Sequence, residues 1–297
     1  MELSLKSSCG ISCLCFNKWD NQYISLSTWG SSVEIYNAKT GFHVQSHKFD
    51  CPQLFVIWAD KNMCISGGSD GVISANGVFF GAHDSPISSL CYVEARKVLV
   101  SSSFDGMVKV WEIKTHSLIC ENTVQYKVIG MSLAKQSMVV CGCSERAIFT
   151  FDVGDPKSIQ VRSSSLPYNT SCVSANDENI AIGSFEGRIA VESFEGKNYA
   201  FKAHYESIDD TRYVFPVNVM RFHSQTGHLA TGGGDGKVII WDLEQKRKIK
   251  EYGPYPSSIS SLSFSDDGTL LAISSSYGFE KGDVQHERDM VLIVEIP

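Results

Sequence analysis

Residues 231–242 read TGGGDGKVIIWD, and residues 100–112 read VSSSFDGMVKVWE. Both stretches place small residues before an Asp-Gly pair and then alternate apolar residues up to a tryptophan. Asp-Gly pairs favour the positive φ angles that a two-residue β-hairpin needs. Valine, isoleucine and tryptophan pack well on a pleated surface. Each stretch therefore predicts a strand, a tight turn and a second strand.

The same pattern recurs along the chain. The turn positions are Gly30, Asp70, Asp105, Glu145, Glu186 and Asp235. Successive turns are 40, 35, 40, 41 and 49 residues apart, which is the spacing of a repeated supersecondary unit. Apolar segments precede the hairpins, such as ISCLCF (11–16), ISSLCY (87–92), VNVMRF (217–222) and ISSLSF (259–264). A seventh unit spans 258–297, with a charged loop, GFEKGDVQHERD (278–289), before its last strand.

A regular array of short antiparallel strands is typical of a sandwich, a barrel or a propeller. Two units carry a further polar set at matched spacing, which resembles the hydrogen-bonded tetrad of WD40 blades. The two sets are His83, Ser101, Asp105 and Trp111, and His204, Thr231, Asp235 and Trp241. A buried tryptophan N–H and a buried aspartate each need a partner, and the tetrad supplies one. The sets favour the propeller.

The fold class predicted for the whole chain is all-β, a seven-bladed WD40 β-propeller forming a single domain over residues 1–297. Closing the ring needs one more outer strand, and ELSLK (2–6) at the N-terminus is predicted to supply it beside the last blade. Closure of this kind removes the exposed edge that an open sheet would leave.

The charge balance bears on the class of partner. Among 297 residues, 26 are Lys or Arg and 33 are Asp or Glu, a formal net charge of −7. Proteins that bind nucleic acid usually have more Lys and Arg than Asp and Glu. No direct nucleic-acid contact is therefore expected. The one basic cluster, within residues 246–250, is interpreted as a solvated strand edge. No apolar run approaches the ~20 residues of a membrane span, so no membrane association is expected.

The sequence lacks the motifs typical of metal-binding, phosphate-binding and catalytic sites. The ten cysteines include no CxxC pair, so neither a zinc site nor any other metal site is predicted, and free thiols of a reducing compartment are expected. The glycines at 232–234 lack the Lys-Ser/Thr of a phosphate loop. His83 belongs to a tetrad rather than to a catalytic triad. We therefore expect a non-catalytic protein without a cofactor, monomeric by itself, that works by binding other proteins.

Three turns hold a large aromatic residue where small residues are usual: Trp29, Phe104 and Phe185. Tryptophan is enriched among interface hot spots, so these rings predict a binding surface. The alternative is that each ring packs under a neighbouring loop. Arg188, two residues after a turn position, would meet an anionic group on the same face. Its alternative is an ion pair within the chain.

The second half of the chain resembles a known family. The segments that carry the resemblance are EGRIAVESFEGKNYAFKAH (186–204), FPVNVMRFH (215–223) and YPSSISSLSFSDDGTLLAISSSY (255–277). They are similar to the Bub-family WD-repeat propeller of the spindle assembly checkpoint. The sister family, the mRNA-export propellers that dock at nuclear pores, shares much of the pattern and remains the alternative.

The resemblance implies partners and a place in the cell. Family members bind an acidic motif, the GLEBS motif, in checkpoint kinases and related adaptors. They also bind threonine-phosphorylated repeats of the kinetochore scaffold. The resemblance thus implies a nuclear protein that acts at the kinetochore in mitosis.

Site residues follow from the same resemblance. Trp29 and Arg188 match binding residues of the family, Phe104 replaces a tryptophan and Lys202 is kept. These four residues are the predicted peptide and phosphopeptide site. Basic residues of the family fall on Cys15, Ser171 and Tyr205 in this chain. Each lost charge-assisted hydrogen bond costs about 1.5–3 kcal/mol, so weaker phosphate binding, or the use of other cations, is expected.

Overall fold

The computed structural model describes residues 1–6, 9–278, 282 and 288–296. In this part the chain forms 29 strands and one 3₁₀ turn, η1 (Ser144–Arg146). Blade 1 has β1 (Ile11–Phe16), β2 (Tyr23–Thr28), β3 (Ser32–Asn37) and β4 (His43–Lys48). Blade 2 has β5 (Gln53–Trp58), β6 (Cys64–Gly68), β7 (Val72–Ala75) and β8 (Val78–Ala82). Blade 3 has β9 (Ile87–Val93), β10 (Val98–Ser103), β11 (Met107–Glu112) and β12 (Leu118–Thr123).

The remaining four blades follow in the same order. Blade 4 has β13 (Val128–Ala134), β14 (Met138–Cys143), β15 (Ala147–Asp152) and β16 (Asp155–Ser163). Blade 5 has β17 (Thr170–Ala175), β18 (Asn179–Ser184), β19 (Arg188–Ser193) and β20 (Tyr199–Lys202). A separate hairpin has β21 (Tyr205–Ile208) and β22 (Thr211–Val214). Blade 6 has β23 (Val217–Phe222), β24 (Leu229–Gly233), β25 (Val238–Asp242) and β26 (Arg247–Tyr252). Blade 7 has β27 (Ile259–Phe264), β28 (Leu270–Ser275) and β29 (Met290–Glu295).

Each blade is an antiparallel meander, and the first strands of neighbouring blades pack against one another around a central axis. The contacts run from β1 through each inner strand to β27 and back to β1. The ring is therefore closed, and the prediction of a seven-bladed propeller is confirmed. The core lies between adjacent blades, where valine, isoleucine and phenylalanine side chains of facing sheets are fully buried.

Serine side chains join the last blade to the first. Ser261 Oγ accepts a hydrogen bond from the Leu14 N–H at 3.1 Å. Ser263 Oγ accepts one from the Phe16 N–H at 3.0 Å. These bonds satisfy backbone donors that would otherwise be buried without a partner.

The N-terminal segment also closes the ring. Glu2 forms an isolated antiparallel bridge with Leu292, and the Leu3 N–H donates to the Val291 carbonyl at 2.9 Å. The Leu3 side chain is only 3% exposed. The pairing predicted for ELSLK (2–6) is confirmed, although it is a short bridge rather than a full strand. The charged loop predicted at 278–289 lies largely outside the described residues.

One element was not predicted from the sequence, the hairpin of β21 and β22. Its turn residues, Asp209 and Asp210, have φ angles of 45° and 63°, which suit a tight two-residue turn. The Phe215 N–H donates to the His204 carbonyl at 3.1 Å, so the hairpin begins and ends at one point on the ring. The hairpin is an insertion between two blades, and it accounts for the longest turn spacing, 49 residues.

Candidate peptide-binding face

The first tetrad is a hydrogen-bonded relay inside blade 3. Trp111 Nε1–H donates to Ser101 Oγ at 2.8 Å, and Ser101 Oγ lies 2.8 Å from His83 Nε2. His83 Nδ1 lies 3.0 Å from Asp105 Oδ2. All four side chains have a hydrogen-bond partner when the Ser101 hydroxyl donates to His83 Nε2 and His83 Nδ1–H donates to the Asp105 carboxylate. Burial lowers the pKa of His83 despite the nearby Asp105, which keeps the ring neutral as this relay requires.

The second tetrad repeats this geometry in blade 6. Trp241 Nε1–H donates to Thr231 Oγ1 at 3.0 Å, and His204 Nε2 lies 2.9 Å from the same oxygen. His204 Nδ1 lies 2.9 Å from Asp235 Oδ1. The carboxylate side chains of Asp105 and Asp235 are 10% and 6% exposed. Both tetrads are internal supports, and each fixes the turn that follows the second strand of its blade.

Those turns define one face of the ring. Blades of a propeller repeat by rotation about its axis, so the turns between second and third strands all lie on the same face. We call it the hairpin face. Trp29, Phe104 and Phe185 lie in these turns in blades 1, 3 and 5, and they are 52%, 41% and 55% exposed. No loop of the described residues covers any of the three.

Two cations stand at the hairpin-face end of blade 5. Arg188 begins β19 and Lys202 ends β20, and the two residues are directly opposite in the antiparallel register. Like charges in this position repel and destabilise the pair. Within the described residues neither side chain forms an ion pair, although Glu186 is close in sequence to Arg188. The pair therefore presents uncompensated positive charge to an incoming anion.

A cleft of about 1140 Å³ opens beside these residues, between blades 5, 6 and 7. Its walls include the aromatic side chains of Phe185, Phe215 and Tyr255, with Lys237 and Glu251 also present. Trp29, Phe104, Arg188 and Lys202 do not line it. This cleft could not be predicted from the sequence because loops from three different blades build it. Its mixture of rings and charges suits an extended peptide.

The positions where family cations are missing fall in two places. Cys15 and Ser171 line the central channel, where burial raises the pKa of the Cys15 thiol to about 12. Ser171 Oγ donates to the Val217 carbonyl at 2.6 Å and so joins blades 5 and 6. Tyr205 is exposed at the start of β21, and the guanidinium of Arg212 lies 5.2 Å from its ring centre. Arg212 thus supplies a cation near Tyr205.

Comparison with known proteins agrees with this architecture. The model of the family "WD domain, G-beta repeat" matches residues 77–112, 200–242 and 246–279. The mitotic checkpoint protein bub3 of Dictyostelium discoideum is 31% identical, with 99% of this chain and 94% of that protein covered. BUB3.1 of Arabidopsis thaliana is 33% identical over 98% of this chain and 91% of that protein. This chain belongs to the Bub3 family.

The sister branch is also similar to this Bub3-family chain. The mRNA export factor GLE2 of Chaetomium thermophilum is 29% identical, with 95% of the chain and 85% of that protein covered. A solved structure described as U3-55K superposes with a TM-score of 0.88 at 17% identity, covering 100% of this chain and 98% of that one. At that identity the likeness shows the fold alone.

The described residues of this Bub3-family chain contain no group of three or more His, Cys, Asp or Glu side chains placed to hold a metal ion. Nor does any helix in this part of the chain have the length and apolar character needed to cross a membrane.

Proposed function

We propose that this Bub3-family propeller is a non-catalytic adaptor of the mitotic spindle checkpoint that binds acidic and phosphorylated peptides on its hairpin face. The observation that carries the proposal is the pairing of Arg188 with Lys202, two cations held opposite each other beside exposed aromatic rings. The repulsion between them is relieved when a carboxylate or phosphate binds, because charge-assisted hydrogen bonds form at that point.

The relatives supply the biological setting of the proposal. Four proteins named for Bub3 and the mitotic or spindle checkpoint are 29–33% identical to this chain over most of its length. We infer checkpoint kinases and adaptors with a GLEBS-type acidic motif as partners, together with threonine-phosphorylated repeats of a kinetochore scaffold. The protein would then work in the nucleus and at kinetochores, as a monomer before it meets its partners.

The rings extend the proposed site beyond the cations. Trp29 and Phe104 provide apolar contact area on the same face, and large exposed rings of this kind are where interface energy concentrates. An acidic peptide with apolar side chains satisfies both features. Because the rings belong to blades 1 and 3 and the cations to blade 5, the peptide would run across the face rather than along one blade.

Calorimetric titration with a glutamate-bearing peptide and with a threonine-phosphorylated peptide tests the proposal. Replacing Arg188 by alanine should weaken binding about 10-fold to 150-fold, the equivalent of about 1.5–3 kcal/mol for hydrogen bonds to a charged group. The melting temperature should stay nearly the same, since the Arg188 side chain has no hydrogen-bond or ion-pair partner among the described residues. Arg247→Ala is the matched control because Arg247 is an exposed arginine on the outer strand β26.

Equal affinity of Arg188→Ala and the unaltered protein would remove Arg188 from the site. The export alternative rests on the similarity to GLE2. Affinity capture from mitotic and interphase extracts, followed by mass spectrometry, separates the two functions. Recovery of checkpoint kinases supports the adaptor, and recovery of nucleoporins without kinases contradicts it.

A further inference from the structure

The central channel contains a cation that the peptide site does not use. Two cavities, of about 240 Å³ and about 120 Å³, lie between the inner strands of the blades. Arg221, on the inner strand β23, lines both of them. Arginine is rarely found inside a protein without a partner, because desolvation of its charge is costly. Arg221 is partly buried, so its charge is only partly exposed to solvent.

No carboxylate faces the guanidinium. The residues that line the two cavities include no Asp or Glu, and Arg221 forms no ion pair anywhere in the described chain. Its Nη1–H donates to the Met220 carbonyl at 2.9 Å, the one side-chain hydrogen bond it makes to the described residues. A guanidinium has five N–H donors. Most of them are thus directed at the channel rather than at protein acceptors.

The ionisable groups near Arg221 are thiols from three other blades. The positive charge acts to lower the pKa of Cys15, Cys91 and Cys172, but burial outweighs it. The resulting pKa values are about 12, about 11 and about 12, respectively. All three thiols stay protonated at neutral pH, so they do not neutralise the guanidinium. Their positions on separate blades place its charge near the channel axis.

Several other polar groups of the channel are already engaged. Ser12 Oγ donates to the Gln53 carbonyl at 2.6 Å, and Asn218 Nδ2 donates to the Ile259 carbonyl at 3.0 Å. Both bonds join adjacent blades. Lys18 also lines the larger cavity, but its Nζ lies 2.5 Å from Glu94 Oε2. Among the described residues, Arg221 is therefore the channel-lining cation without a counter-charge.

We propose that the channel is an anion-binding site in which Arg221 holds a small oxyanion or a carboxylate. The guanidinium fork suits either group because both present two oxygens in one plane. The anion has two sources, a free oxyanion that enters the cavity or an acidic side chain of a peptide that reaches into the channel. The free-oxyanion source is independent of the peptide site proposed on the hairpin face.

Thermal unfolding in a buffer poor in small anions, with and without inorganic phosphate, tests the proposal. Phosphate should raise the melting temperature of the unaltered protein in a concentration-dependent way, as expected for a ligand that binds only the folded state. Arg221→Met and Arg221→Gln should not respond. Without phosphate, Arg221→Met should melt higher than the unaltered protein, because an unpaired charge has been replaced by an apolar chain of similar length. Arg247→Met, which removes an exposed arginine, should respond to phosphate as the unaltered protein does.

A glutamate-bearing peptide separates the two sources. If phosphate has no effect but Arg221→Gln weakens peptide binding 10-fold or more while Arg247→Gln does not, the anion is a peptide carboxylate. The proposal is overturned if phosphate stabilises the unaltered protein and both Arg221 variants equally. It is equally overturned if neither phosphate nor the peptide distinguishes the Arg221 variants from the unaltered protein.

Discussion

Ser101 receives a hydrogen bond from Trp111 and lies within hydrogen-bonding distance of His83, so a hydroxyl joins the two rings inside blade 3. Thr231 has the same position between Trp241 and His204 in blade 6. Each tryptophan is packed among apolar side chains as well as hydrogen-bonded. Its removal would leave a cavity and also a hydroxyl that has lost its donor.

We therefore expect Trp111→Ala and Trp241→Ala to lower the free energy of unfolding by about 3–5 kcal/mol each. Trp29→Ala is the matched control, since half of that side chain is exposed and its loss should change stability by no more than about 0.5 kcal/mol. Urea denaturation followed by circular dichroism measures all three. A small effect at Trp111 would mean that the relay contributes little to the fold.

The positions of Arg188 and Arg221 differ in how well they could be predicted from the sequence. Arg188 follows a recognisable turn, so its place at the start of a strand could be read from the residues around it. Arg221 could not be placed in this way. A register irregularity between Val217 and Val219 interrupts the alternation of β23, so counting residues along the strand does not assign Arg221 to a face.

At the scale of the element, the inner strands were the most predictable parts. ISCLCF (11–16), VNVMRF (217–222) and ISSLSF (259–264) coincide with β1, β23 and β27. These strands are apolar and sit next to strong turn signals. The hairpin of β21 and β22 was missed because all of its residues are exposed, so no burial pattern marks it.

We expect the hairpin to be dispensable for folding. His204 and Phe215 are already hydrogen-bonded across its base, so residues 205–214 can be replaced by two glycines without moving either blade. The melting temperature should fall by no more than a few degrees, because little apolar surface is buried by the hairpin. A loss of cooperative unfolding, seen by calorimetry, would show instead that the hairpin supports blade 6.

At the scale of the whole molecule, the ring depends on contacts between its two ends. Leu3 is buried in a cluster with β1 of the first blade and with Val291 and Ile293 of the last. Leu3→Ala should therefore lower the free energy of unfolding by about 2–5 kcal/mol, the usual cost of truncating a buried leucine. Leu118→Ala, on an exposed outer strand, should have an effect within about 0.5 kcal/mol. Similar values for both variants in chemical denaturation would contradict a role for the N-terminal segment in closure.

The bridge between Glu2 and Leu292 also sets the order in which the molecule matures on the ribosome. The segment around Leu3 is synthesised long before its partner strand β29. Blades 1 to 6 can form while translation continues, since each is a local meander with near neighbours in sequence. The first blade must meanwhile keep an unpaired apolar edge. A ribosome stalled before residue 290 would thus carry an open arc, and the circle can close only after β29 has left the ribosome.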